Sequence, residues 1–111
     1  MNKIIATFFY LLVALSASAQ SDAESVSKKI AQRMKDSLAL TAVQMQNIYD
    51  INMQLHQQRV AVWQQYNNNR PQIQSHLQLI ENTRDSLYKP VLTAEQFTQY
   101  RQKKLNLLNN N

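Results

Sequence analysis

An all-α fold is predicted by three observations. The 111 residues contain no Gly and only two Pro, so the usual residues of tight β-hairpins are missing. Apolar side chains recur at intervals of three and four residues, the helical period. Three of the four runs open on a Ser or Thr followed three residues later by Glu or Gln, the pattern of a reciprocal helix cap. The expected architecture is a helical hairpin with a short helix at each end, four helices in all.

Residues 1–19 read as a secretory signal peptide. Lys3 and the α-amino group give a positive start, Ile4 to Leu15 form a 12-residue apolar run broken only by Thr7, and Ala17-Ser18-Ala19 supplies small residues for cleavage. Twelve residues of helix reach only about 18 Å, short of the roughly 30 Å hydrocarbon core, which argues against a stable membrane anchor. The chain lacks Cys, which excludes a lipid-modified N-terminus. The expected mature protein begins at Gln20 in a bacterial periplasm. It is one domain, residues 20–111, of 92 residues with a net charge of +4.

In that domain Ser21-Asp22-Ala23-Glu24 has the form of a capping box, and Ala23, Val26, Ile30, Met34 and Leu38 line one face of a first helix over about 22–38. Thr41 caps the second, with Gln44 at N3. Its apolar line runs through Ile48, Ile51, Leu55, Val62 and Tyr66, flanked by Met45, Tyr49 and Trp63. Asn67 to Pro71 stops it. Ile73, Leu77, Ile80, Arg84 and Leu87 carry the third helix to about Tyr88, with Arg84 expected to pack its stem below a solvated head. Lys89-Pro90 interrupts. Thr93 then caps a fourth helix, with Gln96 at N3 and Phe97, Tyr100, Leu105 and Leu108 on its apolar side.

Composition excludes several chemistries. Without Gly the chain has no phosphate-cradling loop, dinucleotide fingerprint or nucleophile elbow. Without Cys it has no disulfide, thiolate–metal site or thiol nucleophile. Asp36 beside Ser37 and Asp85 beside Ser86 point about 100° apart on a helix, and no nucleophile–base–orienter set is visible. The expectation is a protein that is not an enzyme and uses no cofactor. The pI of about 9.7 suits nucleic acid, but the basic residues are spread over four segments in an exported chain, so no nucleic-acid partner is expected.

Leu40-Thr41-Ala42-Val43-Gln44 and Leu92-Thr93-Ala94-Glu95-Gln96 repeat one pentapeptide, L-T-A-x-Q, at a separation of 52 residues. Each copy reads as a helix start: Leu40 and Leu92 as core plugs, Thr41 and Thr93 as caps, Gln44 and Gln96 as reciprocal cap partners. Two copies flanking a long helical pair in a small exported chain resemble the LTXXQ-motif family of periplasmic proteins (Spy/CpxP-like). The likeness covers about residues 28–108. It implies a hairpin that dimerises through antiparallel long helices into a curved cradle. It also implies an ATP-independent chaperone, or an envelope-stress protein that binds partly unfolded proteins or docks one envelope sensor. The motif separation is shorter than expected for that family, and the second helix is richer in Gln, so a smaller cradle is expected.

The favoured function is capture of partly unfolded envelope proteins by a basic amphipathic surface. Lys and Arg would steer acidic chains, and Met, Tyr and Trp would hold them. Tyr49, Met53, Val60, Trp63 and Tyr66 lie off the expected hairpin seam and are the candidate client or dimer surface, leading to an expected homodimer through the second and third helices. A metal-binding or metal-sensing protein of the same superfamily is the alternative, with His56, His76, Met34, Met45 and Met53 as candidates. In a hairpin turning near residue 69 the two His are offset by roughly 9 Å along the axis, too far to share an ion, so both are expected as lone surface His. His56 could approach Glu81 or Asp85.

Overall fold

The structure, a computed structural model, describes the backbone of residues 17–109 and the side chains of residues 22–109. Of the expected export segment, residues 1–16 lie outside the described residues. Four helices follow in order: α1 (Ala17–Leu38), α2 (Ala42–Gln65), α3 (Arg70–Tyr88) and α4 (Ala94–Leu107). The all-α fold expected from the sequence is the one observed. One boundary differs. Helix α1 is already formed at Ala17, the first described residue, so Ser21–Glu24 lies inside it and does not form its cap. Ala17 and Ala19 carry high helix propensity and let the helix extend through the Ser-rich stretch.

The remaining boundaries follow local chemistry. Thr41 and Thr93 sit in extended backbone, and each forms a complete capping box with the Gln at N3. Asn69 caps α3, its side chain accepting from the Gln72 amide, and Pro71 stands in the first turn, where its missing N–H costs nothing. Between α1 and α2 the chain reverses at Ala39, whose φ is 55°. The Leu40 amide donates back to the Lys35 carbonyl over 3.3 Å, the six-to-one bond of a Schellman turn. Ala in a left-handed position carries a steric cost that a Gly would not. Asn68, with φ 69°, is a residue type that tolerates that region better.

Helix α1 packs along α2, α3 packs on α2, and α4 lies against α1. The main core joins Ile30, Ala31, Met34 and Leu38 of α1 to Ile48 of α2, Tyr88 of α3 and Tyr100 and Leu107 of α4, with Leu40 and Leu92 from the two motifs. Both motif leucines are therefore core plugs, as expected. Leu55, Ile73 and Ile80 are buried in the hairpin of α2 and α3, whereas Ile51 and Leu77, expected in the same seam, are half-buried. Ile48, also expected there, belongs to the four-helix core.

Two sequence expectations are overturned by packing. Leu105 was expected on the apolar side of α4 but is 90% exposed, and Leu107 is buried in its place. Measured from Tyr100 at 100° per residue, Leu107 returns to within about 20° of the same face while Leu105 lies about 140° away. Arg84 does not hold its head in solvent: the whole residue is buried, for reasons that belong to the polar network described next.

Candidate functional site: a motif clasp, a basic groove and a buried polar network

The two L-T-A-x-Q motifs meet. Within each, the Gln amide is acceptor for the Thr main chain and the Thr hydroxyl accepts from the Gln main chain: Thr41 N–H to Gln44 Oε1 at 2.9 Å and Gln44 N–H to Thr41 Oγ1 at 3.1 Å, then Thr93 N–H to Gln96 Oε1 at 3.0 Å and Gln96 N–H to Thr93 Oγ1 at 3.1 Å. The spare amide protons cross between motifs. Gln44 Nε2 donates to Gln96 Oε1 at 2.7 Å and to the Val91 carbonyl at 3.1 Å. Gln96 Nε2 donates to the Leu38 carbonyl at 3.3 Å and to Gln44 Oε1 at 3.4 Å. The repeat is thus a clasp that joins the starts of α2 and α4 and ties down the end of α1.

Next to the clasp a groove of about 340 Å³ runs between α1 and α2. Lys28 and Lys35, seven residues apart on α1, form one wall, and Ala42, Met45, Gln46 and Tyr49 form the other. Both sets carry helical spacing, so each lies on one face of its helix. The floor is apolar and the rim cationic. Met45 and Tyr49 are half-buried against the main core, while Met34 is fully buried within it.

The five residues expected as a client or dimer surface are dispersed along α2. Tyr49 lines the groove, Met53 and Val60 are half-buried, and Tyr66 stacks its ring on His76 with centroids 4.4 Å apart. Trp63 is 49% exposed, and Leu79 on α3 is also exposed. Among the described residues no group of three His, Cys, Asp or Glu is placed to hold a metal ion. His56 is half-buried, and its imidazole is held below its ordinary pKa by burial and by the neighbouring Arg59 and Arg84 charges, with Asp22 opposing. The carboxylates it was expected to approach are engaged elsewhere. Glu81 accepts from Arg84 Nε at 3.0 Å and pairs with Arg59 at 3.5 Å, and Asp85 accepts from Lys104 at 2.9 Å and Tyr100 at 2.8 Å.

The sequence reading missed the buried network around Arg84. Its Nη1 donates to Asn52 Oδ1 and to the Tyr88 hydroxyl, each at 3.0 Å, while the Tyr88 hydroxyl itself donates to Asn52 Oδ1. Asn52 Nδ2 in turn donates to the Ser27 carbonyl at 3.2 Å. The guanidinium joins α3 to α2, the Asn52 amide carries the bonding on to α1, and each guanidinium nitrogen has an acceptor, which is what burial of a charge requires. The available signal was the spacing of Glu81, Arg84 and Tyr88 at i, i+3 and i+7 on one face of α3.

Nearby, Asp85 links α3 to α4. Burial pushes its carboxyl up, but the bonds from Lys104 and Tyr100 outweigh this and hold it below the usual carboxylate range. Burial and the Asp85 carboxylate together push the Tyr100 hydroxyl well above its ordinary value. Among the described residues no helix is long and apolar enough to cross a membrane. No family model matches this chain, and neither a curated protein nor a solved structure matches it.

Proposed function

We propose that this chain is an exported, ATP-independent binding protein of the LTXXQ-motif kind that captures partly unfolded proteins in a bacterial periplasm. The observation that carries the reading is the groove between α1 and α2, where Lys28 and Lys35 stand over Met45 and Tyr49. Cations at the rim attract an acidic, unfolded segment over long range. A thioether and a phenol below give it adaptable apolar contact without demanding one sequence. The signal-like N-terminus supports the compartment, and the paired motifs support the family. We further propose that two copies pair through α2 and α3, covering Trp63 and Leu79, since exposed apolar side chains on neighbouring helices favour a self-complementary interface.

The test is breadth of protection. Several unrelated proteins are denatured and diluted into buffer with and without the purified chain, and light scattering is followed. Suppression of aggregation for most of them, weakened several-fold by Lys28→Glu/Lys35→Glu at low salt, is the expected result. Protection of none, with saturable binding to a single envelope sensor domain, would replace the chaperone reading with a regulatory one. Sedimentation equilibrium at micromolar concentration is expected to give twice the mature mass, and a folded monomer there would end the dimer proposal.

A further inference from the structure

A second, part-enclosed cavity of about 120 Å³ opens between α1, α2 and α3 and shares no lining residue with the basic groove. A single water needs roughly 10–15 Å³ of such space, so the cavity admits a ligand of several heavy atoms. Val26 and Ile30 of α1 and Leu108, just past α4, give it an apolar wall. Ser27, His56 and Arg59 line it on the polar side, with Asn52 and Arg84 also contributing.

Three observations indicate the ligand's chemistry. Ser27 is fully buried, and its Oγ is a buried side-chain oxygen without a hydrogen-bond partner among the described residues. A native interior seldom leaves such a group unmatched. Arg84 is satisfied within the chain, its N–H groups directed to Glu81, Asn52 and Tyr88. Arg59 is differently placed. Its contact with Glu81 is 3.5 Å, longer than a good charge-assisted bond, and its side chain is 37% exposed. Its planar fork therefore has donors to offer a second anion. His56, three residues earlier on the same helix, shares that face.

We propose that this cavity binds a carboxylate carried on a short alkyl group. The carboxylate sits in the fork of Arg59 beside the His56 imidazole and the Ser27 hydroxyl, and the alkyl part lies against Val26, Ile30 and Leu108. A guanidinium fork matches the two oxygens of a carboxylate, and the apolar wall disfavours a fully hydrated dianion such as phosphate. The charged groups acting on His56 come from each packed element: Asp22 on α1, Arg59 on α2 and Arg84 on α3. A bound carboxylate adds an anion to this set and makes His56 a reporter of occupancy. The inference rests on residues other than those of the basic groove, so it stands or falls apart from the chaperone reading.

The chemistry has two sources, a free short-chain acid or the terminal carboxylate of a polypeptide. The purified protein is titrated with propionate at constant ionic strength, with chloride and inorganic phosphate as controls, while the imidazole signals of His56 and His76 are followed by NMR. A saturable shift of His56 but not His76, with a dissociation constant of about 1–10 mM, is expected. Its pH midpoint rises on saturation. Arg59→Gln is expected to weaken binding at least about tenfold and Ser27→Ala about threefold. Circular dichroism is recorded to check that both variants are folded, and Arg59→Lys, which keeps the charge but loses the fork, is expected to weaken binding as well. A parallel titration uses a short apolar peptide with a free or an amidated C-terminus. Saturation by propionate assigns the site to free acids. Saturation only by the peptide, lost on amidation, assigns it to chain termini. No saturable His56 shift with either ligand, an equal response to phosphate, or wild-type affinity in Arg59→Gln overturns the proposal.

Discussion

Removing the Gln96 side-chain amide tests whether the repeated motif is a clasp or merely two separate helix caps. Gln96→Ala deletes the acceptor for Thr93 N–H at 3.0 Å and for Gln44 Nε2 at 2.7 Å, and the donor to the Leu38 carbonyl at 3.3 Å. Three well-formed bonds at a net value of about 1 kcal/mol each give an expected loss of about 2–3 kcal/mol. Thr93→Ala removes only the cap acceptor and is expected to cost about 1 kcal/mol. For a domain of this size, the first loss corresponds to roughly 10–20 °C in Tm. The decisive quantity is the coupling in a cycle of Gln44→Ala, Gln96→Ala and the double variant, followed by urea unfolding with far-UV circular dichroism. Once one Gln is gone the other has lost its partner, so the double variant is expected to be about 1–2 kcal/mol less destabilised than the sum of the singles. Additivity within about 0.5 kcal/mol would refute the clasp and return each Gln to a local cap role.

Other expectations concern the buried network, the acid side of the stability profile and the first turn. Arg84→Met is expected to destabilise the fold by about 2–4 kcal/mol in urea unfolding, because it strips Glu81, Asn52 and Tyr88 of a common donor while Arg59 retains part of Glu81. Asp85 has a folded-state pKa below its unfolded value, so its contribution is complete above the unfolded value near 4 and is lost as pH falls through the folded one. Wild type is expected to lose stability below about pH 4 more steeply than Asp85→Asn, which already lacks that contribution at neutral pH, in melts recorded across acid pH. His56 has the opposite relation to charge. Its folded pKa is lowered, so stability falls as pH drops from above about 6.5 through the folded value, and His56→Gln is expected to flatten that part of the profile. Ala39→Gly should stabilise the fold by about 0.5–1 kcal/mol, the left-handed penalty relieved less the added freedom of the unfolded chain. Thermal melts that show no gain would remove the steric cost assigned to that turn.

The elements whose partners are near in sequence could be read before any fold was known. Thr41 with Gln44 and Thr93 with Gln96 place both bonding partners three residues apart, so capping chemistry alone positions the starts of α2 and α4. The line Ala23, Ile30, Met34 and Leu38 is buried because the helical period brings those residues to one stripe whatever packs on it. The start of α1 was less legible, since Ser21–Glu24 satisfies the same local pattern but helix propensity upstream continues through it.

Tertiary packing alone decided the rest. That the two Gln amides bond each other depends on two helix starts 52 residues apart arriving within hydrogen-bond reach, which neither pentapeptide encodes. Arg84 carries an alkyl stem and a charged head, and sequence cannot say which end is covered. The head is buried because Asn52 arrives from α2 and Tyr88 lies one turn on, so acceptors replace the water it gives up. Likewise the basic groove and the second cavity exist only in the angles at which α1 meets α2 and α3. The sequence supplies each wall as a helical stripe, but the space between stripes is a property of the packed helices.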